Sequence, residues 1–223
     1  MRLHSTKGFT LIELMVVILL TAIMAAIAFP SMSNWMASRK VANRSEQVLN
    51  MIRLAKAEAV RLNTPVYVCP VSIASTGIPN GYCSTALASA KGFASFGDSN
   101  ANLQYDAAND LALRTVVINT SDRSDIQFNL GNFTTAGASG AAATAFGFMP
   151  DGSFYRATSA SGVLTRTRAD GVIKISLTDA NAGDKKADRA VVLLIDGGGH
   201  VRSCSTEQIK ASAASSKACS TTF

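Results

Sequence analysis

The chain has 223 residues, of which 48% are hydrophobic and only 16% charged, and its formal net charge is +6. The length suits one ordinary domain rather than two, and so apolar a composition is not that of a disordered chain. Only two histidines occur, His4 and His200, and there is no CxxC, HExxH or phosphate-binding glycine motif. A metal centre and a histidine-centred triad are therefore disfavoured, and we expect no enzyme and no cofactor.

The N-terminus carries the first structural pattern. Residues 1–8 are polar, whereas residues 9–29 are apolar except for two threonines and Glu13. At about 1.5 Å per residue the apolar stretch would form roughly 32 Å of helix, enough to cross a bilayer core. We expect a membrane-spanning helix over residues 9–30. A cleaved secretory signal is the alternative, with a small-residue cleavage site at residues 25–28.

Glu13 distinguishes these alternatives. A carboxylate inside a membrane helix is costly, about 2.5–3.5 kcal/mol near the bilayer centre and less near its edge. Its presence is explained if the chain is cut between Gly8 and Phe9, because the cut creates a new α-amine that the carboxylate of a neighbouring subunit can neutralise. Such a pair would fix the axial register between helices. The competing interpretation is a protonated, unpartnered glutamate near the headgroups.

The octapeptide KGFTLIEL at residues 7–14 resembles the processing site of type IV pilins and type II secretion pseudopilins. In that family a membrane peptidase cuts after the glycine and N-methylates the new phenylalanine, and the glutamate guides subunit docking. The resemblance implies cleavage between Gly8 and Phe9, methylation of Phe9, a docking role for Glu13, and a domain outside the cytoplasm. The matching residues are Gly8, Phe9, Thr10, Leu11, Glu13 and Leu14, together with Pro30.

The helix is expected to resume after Pro30 and to form an amphipathic stem over residues 31–63. Apolar residues recur there at spacings of three and four, which predicts one stripe packed against a sheet. The stripe comprises Val41, Val48, Ile52, Ala55, Ala59 and Leu62. Residues 39–61 also hold six basic and two acidic side chains, so we expect the stem to present a basic surface to solvent.

Residues 64–223 are predicted to form a β-rich globular head. One long helix followed by a run of strands favours an α+β fold with an antiparallel sheet. The expected strands cover residues 66–70, 111–119, 126–130, 146–149, 153–156, 172–178, 190–195 and 200–204. Turns are expected at residues 150–153 and 197–199, a loop over residues 134–145 and a loose tail over residues 211–222.

Landmarks along the head resemble H-type pseudopilins and their pilus counterparts, the FimT- and FimU-like minor pilins. They are Val68-Cys69-Pro70, Phe96-Gly97-Asp98-Ser99-Asn100, Phe148-Met149-Pro150-Asp151-Gly152 and Gly199-His200-Val201-Arg202 with Cys204. This resemblance implies a minor pilin that assembles into, and primes or tips, a type IV pilus. The H subunit of a type II secretion system is the alternative.

The same resemblance implies the partners and the location. The partners are other pilin or pseudopilin subunits, the prepilin peptidase, the inner-membrane assembly platform, and membrane lipid before assembly. The chain would cross the bacterial inner membrane once, with its head in the periplasm, and would then enter the pilus or pseudopilus.

Four cysteines, at positions 69, 83, 204 and 219, are an even number without metal-ligand spacing. In a segment outside the cytoplasm this predicts two disulfides. Four cysteines allow three connectivities, of which we favour Cys69–Cys83 and Cys204–Cys219. Each would close a loop of about 15 residues, worth around 3 kcal/mol in the loop-entropy model.

Nucleic-acid binding is a second functional hypothesis. Some FimT-like pilins bind DNA through a basic Gly-Arg-x-Arg stretch, and residues 199–202 read Gly-His-Val-Arg here. The candidate residues are His200, Arg202, Lys210 and Lys217. Because so few charges would meet phosphates, the expected binding is weak.

A membrane-tethered enzyme is a third hypothesis, and it would need a pocket holding Asp98, Asp106 or Asp110. These aspartates, with Asn100 and Asn102, could also suggest calcium. Their spacing lacks the central glycine and closing glutamate of an EF-hand loop, so we expect a solvated loop.

Overall fold

A computed structural model describes residues 8–83, 86–134, 143–160, 162–169, 171–211 and 217–221, without the side chains of residues 27–31, 134, 159, 160 and 217. The leader before Gly8, most of the predicted loop over residues 134–145, and much of the predicted tail over residues 211–222 lie outside these ranges. The side chains of Pro30 and Lys217 lie outside them as well.

Helix α1 runs from Leu11 to Leu62 without interruption of its backbone. Thr10 caps its start, because the Thr10 Oγ1 accepts a hydrogen bond from the Glu13 N–H at 3.3 Å. At the other end Asn63 adopts the left-handed conformation (φ 50°), and its N–H points back to the carbonyls of Ala59 and Val60. The predicted helix end before Pro65 is confirmed.

The second half of α1 is buried on one side. Val41, Val48, Ile52, Ala55 and Ala59 of the predicted stripe are at most 1% exposed, whereas Leu62, its last residue, is only half-buried. They join buried residues from both sheets in one hydrophobic cluster. Within the described part of the chain, no helical segment has both the length and the apolarity that a membrane-crossing span needs.

The head contains two antiparallel sheets rather than one. The strands are β1 (Val66–Ile73), β2 (Pro79–Asn80), β3 (Gly92–Gly97), β4 (Leu111–Val117), β5 (Ile126–Thr134), β6 (Ala145–Phe148), β7 (Phe154–Ala160), β8 (Val163–Arg168), β9 (Gly171–Asp179), β10 (Ala190–Ile195) and β11 (Val201–Ser203). The larger sheet has the order β4-β3-β1-β6-β7-β8 with β2 paired to β1, and the smaller has the order β11-β10-β9-β5. Helix α1 contacts strands of both sheets. The α+β class is confirmed.

All eight predicted strands are present, while β2, β3 and β8 were not predicted. Strand β3 lies between β1 and β4 and is buried along its whole length, so it lacks the alternating pattern of a half-exposed strand. Its Gly92 is required, because a Cβ there would collide with the carbonyl oxygen of Val116 on β4. The predicted turns are confirmed: Gly152 (φ +81°) joins β6 to β7, and Gly199 (φ +72°) joins β10 to β11.

Lys174 is a buried lysine. Ile173 and Ile175 of β9 face the α1 core, and Lys174, on the other face of the strand, is 0% exposed. The C-terminal segment covers that face, and the Lys174 Nζ donates to the Ser220 Oγ at 3.3 Å and lies 4.4 Å from the centre of the Phe133 ring. Burial lowers the pKa of Lys174 to about 8.

Asp98 organises the loop between β3 and β4. Its side chain is 1% exposed, and its two oxygens accept hydrogen bonds from the N–H groups of Asn102 (3.1 Å) and Leu103 (3.0 Å). Burial raises the pKa of Asp98, and these backbone donors oppose the rise. Ala101 and Leu103 both have positive φ angles, a conformation that side chains disfavour and that the surroundings must hold in place.

Replacement of Lys174 by Met should give a pH-dependent gain in stability. The folded-state pKa of about 8 lies below the unfolded value near 10.4, so the unfolded state binds more protons between these values and wild-type stability rises with pH there. We expect Lys174→Met to unfold with a free energy about 2 kcal/mol higher than wild type at pH 7, and the difference to shrink towards pH 10. Urea denaturation of the full chain in detergent micelles measures both. Lys186→Met, at an exposed lysine, is the control, and a pH-independent difference would contradict the expectation.

Asp98→Ala should destabilise the fold by about 1–3 kcal/mol, because the Leu103 N–H loses its acceptor and the Asn102 N–H keeps only the Asn100 Oδ1. Asp98→Asn keeps one carbonyl acceptor, so its free energy of unfolding should lie between those of wild type and Asp98→Ala. Asp184→Ala, at an exposed aspartate, should stay within about 0.5 kcal/mol of wild type. The same denaturation assay ranks the three variants, and equal stability of Asp98→Ala and Asp184→Ala would refute the role given to Asp98.

Candidate assembly and binding surfaces

The predicted processing site lies at the free end of α1. Gly8, Phe9 and Thr10 precede the helix, and Glu13 lies in its first turn. The sequence Thr10-x-x-Glu13 has the form of a capping box, in which a threonine caps the helix and a glutamate follows three residues later. A negative side chain here also faces the positive end of the helix dipole. Glu13 therefore fits the helix start as well as the proposed docking role.

Residues 9–24 have no cover from the described part of the head. Side chains point outward in all directions along residues 9–24, and their large apolar members are half to four-fifths exposed. They include Phe9 (82%), Leu11 (81%), Ile12 (69%), Met15 (66%), Ile18 (58%), Leu19 (61%), Ile23 (53%) and Met24 (68%). A helix that is apolar all round must be covered by lipid or by other protein. This part of the chain is therefore an association surface.

Both favoured cysteine pairs are the disulfides of the structure, and all four cysteines are used. The Cys69–Cys83 bond ties β1 to the loop after β2 and is buried on the outer face of the larger sheet. The Cys204–Cys219 bond ties the end of β11 to the C-terminal segment. Cys219 lies in the segment predicted to be a loose tail, yet it is 7% exposed and packs with Val192 and Leu194.

The basic residues suggested for DNA have different surroundings. Arg202 is exposed on β11. The His200 Nδ1 lies 3.3 Å from the Asp196 Oδ1. The Lys210 Nζ, on the short helix α2 (Thr206–Ala211), is 2.7 Å from the Asp188 Oδ1, and Lys217 has no described side chain. Two of the four candidates thus lie beside a carboxylate.

Two further basic residues, which the sequence analysis did not connect with this region, face the β10–β11 turn. Arg53 and Lys56 of α1 line a groove of about 390 Å³ with Gly199 and His200. The Lys56 Nζ donates to the Gly198 carbonyl oxygen at 2.8 Å. A Cβ on Gly199 would come within 2.6 Å of the Phe148 ring, so the turn can lie this close only with glycine there. The basic spacing along α1 was visible in the sequence, but its proximity to the turn was not.

The aspartates suggested for catalysis or calcium take part in local structure. Asp98 accepts the backbone bonds described above. Asp110 accepts hydrogen bonds from the N–H groups of Ser99 and Asp106, each at 2.9 Å. The expectation of a wholly solvated loop was wrong for Asp98, because its carboxylate must be buried to reach the N–H groups of Asn102 and Leu103.

Comparison with known proteins gives two family matches. The family model described as "Type II transport protein GspH" matches residues 44–199, and the model of the prokaryotic N-terminal methylation motif matches residues 3–29. No curated protein sequence matches the chain.

Two crystal structures of the type IV minor pilin FimU from Pseudomonas aeruginosa (strain PAO1) are similar to this chain. The crystal in space group P21 aligns at 13% identity and a TM-score of 0.42, covering 76% of this chain and 91% of that one. The crystal in space group P65 aligns at 13% identity and a TM-score of 0.40, covering 74% and 94%. The GspH match covers more than half of the sequence. The chain therefore belongs to the GspH family of pilin-like type II transport proteins and carries the prokaryotic N-terminal methylation motif.

Proposed function

We propose that this chain is a minor subunit of a type IV pilus that primes filament growth or lies at the filament tip. The prepilin peptidase cuts it between Gly8 and Phe9 and methylates the new amine of Phe9. Residues 9–30 then hold it in the inner membrane, with the stem (31–63) and head (64–223) in the periplasm, until the assembly platform moves it into the filament. The protein acts by assembly and not by catalysis.

One observation carries this proposal: apolar side chains surround the first half of α1, and no part of the described head covers them. The same surface suits two successive environments, because acyl chains and the helices of other subunits both exclude water. Two buried disulfides suit a head folded outside the reducing cytoplasm. The H subunit of a type II secretion system would use the same surface in the same way, and it remains the alternative.

Glu13 is the one acidic side chain within residues 9–26. In a bundle of such helices its carboxylate would lie in an apolar layer, where only an opposite charge compensates its loss of hydration. The α-amine of Phe9 from a neighbouring subunit is that charge. The pair would set how far one helix slides along the next, since any other stagger leaves two uncompensated ions.

A second candidate function is DNA binding at the groove between α1 and the β10–β11 turn. The observation that favours it is the convergence of Arg53, Lys56 and His200, with Arg202 on the adjoining strand. Three cations and an imidazole on one surface can contact successive phosphates, and the resulting affinity would be modest and sensitive to salt.

Glu13→Gln should block assembly without blocking processing. Removing one partner of a buried ion pair costs about 3–5 kcal/mol, so we expect the amount of this subunit in sheared filaments to fall at least about tenfold. The N-terminal mass of membrane-extracted protein should still correspond to methylated Phe9. Glu46→Gln, at an exposed stem glutamate, should assemble normally.

Three outcomes would contradict this account. Undiminished incorporation of Glu13→Gln at equal abundance removes the docking role. A leader that is never removed overturns the whole proposal. An N-terminus after Ala28 identifies a freely secreted protein instead.

For DNA binding, Arg53→Gln and Arg202→Ala should each weaken retardation of duplex DNA by the full chain in detergent. Each variant loses about one phosphate contact, so the slope of log affinity against log salt should fall by roughly one. Arg168→Gln, on β8 of the other sheet, controls for net charge. No retardation at low salt, or equal retardation by all variants, would reject this site.

A further inference from the structure

One face of α1 remains exposed where the apolar segment meets the stem. Met32, Trp35, Met36 and Arg39 follow the spacing i, i+3, i+4 and i+7, so they form one stripe. Met32, Trp35 and Met36 are 57%, 58% and 55% exposed. The Arg39 guanidinium lies 5.5 Å from the centre of the Trp35 ring, which places a cation beside an indole. We call these four residues the tryptophan stripe.

Further along the helix the same face becomes polar. Continuing the spacing beyond Arg39 leads to Asn43, Glu46, Asn50 and Arg53, all of which are exposed. Within residues 11–26 the exposed side chains are apolar on every side of the helix, apart from Glu13 and Thr21. The exposed face thus changes from apolar to polar within the tryptophan stripe. Such a change, with an indole and an arginine at the boundary, is the arrangement found where a helix leaves a bilayer.

The position along the axis fits the same boundary. Trp35 follows Phe29, the last residue of the apolar segment, by six residues, or about 9 Å of helix. The headgroup region on one side of a bilayer is about 5–8 Å thick. With residues 9–29 in the hydrocarbon, the Cα atoms of Met32, Trp35 and Arg39 would lie about 4.5, 9 and 15 Å beyond its edge. Helical side chains point back towards the N-terminus, so the Trp35 indole would reach the headgroup region. The Arg39 guanidinium, 5.5 Å from the centre of that ring, would lie near the outer border of the headgroups.

The head adds basic residues around this level. Its loops over residues 120–125 and 181–189 contact α1 between Asn34 and Arg44: the Ser38 Oγ donates to the Asp188 carbonyl oxygen at 3.2 Å, Arg189 bonds Asn34, and Lys40 pairs with Asp125. We call residues 34–44 and these two loops the rim. The rim holds seven basic side chains, Arg39, Lys40, Arg44, Arg123, Lys185, Lys186 and Arg189. Its four acidic side chains are Asp122, Asp125, Asp184 and Asp188.

The rim therefore has a net charge of +3, and its ion pairs do not cancel the excess. Lys40 is paired with Asp125 inside the rim, while Arg189 and Asp188 pair with Asp179 and Lys210 outside it. Lys185 and Lys186 are exposed. A positively charged surface next to an indole is complementary to negatively charged lipid.

We propose that the tryptophan stripe and the rim bind the headgroups of anionic phospholipids while the subunit waits in the membrane. The inference rests on the proposed membrane insertion of residues 9–30 and names the lipid class that the subunit selects. Trp35 anchors the depth of the helix, Arg39 contacts phosphate beside it, and Lys185 and Lys186 hold the head down on the lipid surface. Departure into a filament then has to break these contacts.

The single tryptophan of the chain makes the test specific, because all indole fluorescence comes from Trp35. The full chain is reconstituted into vesicles of phosphatidylcholine and phosphatidylglycerol, with bromine on carbons 6 and 7 or on carbons 11 and 12 of the acyl chains of one lipid. We expect stronger quenching by the shallower bromines. At equal mole fraction, brominated phosphatidylglycerol should quench more than brominated phosphatidylcholine, and added salt should reduce the excess.

The matched variants are Lys185→Gln/Lys186→Gln and Arg61→Gln. Each basic side chain near an anionic surface strengthens the attraction about fivefold, so the double variant should lose at least about half of the excess quenching by phosphatidylglycerol. The exposed Arg61 lies twenty-two residues beyond Arg39, about 33 Å along the helix, and its replacement should leave the excess unchanged.

The remaining outcomes separate the two proposals. A chain that does not float with the vesicles overturns membrane insertion, and this inference with it. A chain that floats but is quenched equally by both lipids, with or without Lys185 and Lys186, overturns lipid selection and leaves the proposed function standing. A floating chain whose Trp35 no brominated lipid quenches has its tryptophan stripe covered by another subunit or by water, which also overturns the inference.

Discussion

The main constraint on this structure is that the head buries only one part of helix α1. Both sheets pack against the side that begins at Val41, and burial of this stripe gives the head one continuous core. Removal of apolar surface from water is the main force that holds such a core together. The same head leaves residues 9–26 uncovered, so one helix carries two surfaces: one satisfied within the chain and one that needs lipid or other subunits.

The charge of helix α1 differs between the part that the head leaves exposed and the part that packs against the head. The apolar part holds one charged side chain, Glu13, for which we propose a partner amine within a bundle. The part next to the head carries the basic residues, several of which are used inside the chain: Lys40 pairs with Asp125, and Lys56 holds the β10–β11 turn. Arg39 and Arg53 remain exposed at two different levels. The proposed lipid contact of Arg39 and the proposed DNA contact of Arg53 would thus lie at different levels along the axis of α1.

Local sequence was enough to predict the features that neighbouring residues determine. The methylation motif, the buried stripe of α1, the two glycine turns and eight strands all follow from short patterns. Strand β3 was missed because it is buried on both faces, so its sequence does not alternate between apolar and polar residues. Strand β8 was missed because its Thr-Arg-Thr-Arg sequence looks like a solvated loop, although β7 provides its hydrogen bonds.

Features made by distant segments could not be predicted in this way. Lys174 has the sequence pattern of an exposed residue, yet a segment more than 40 residues later covers it. The burial of Cys219 has the same cause. The groove beside Gly199 needed contact between α1 and a turn 142 residues away. In each of these cases the environment of the residue is determined by a segment that is distant in sequence. The neighbouring residues in the sequence therefore cannot predict it.

The outermost strands also affect how neighbouring heads behave in a crowded fibre. The border strands of the two sheets are β4, β8, β5 and β11. Strands β4, β8 and β11 carry Arg114, Arg166, Arg168 and Arg202, whereas β5 carries no basic residue. Positive borders repel one another, which discourages two heads from joining through β4, β8 or β11 into a shared sheet. The contacts that hold the subunits together are then left to the apolar helical segments. A filament could therefore take up or lose this subunit without its heads aggregating.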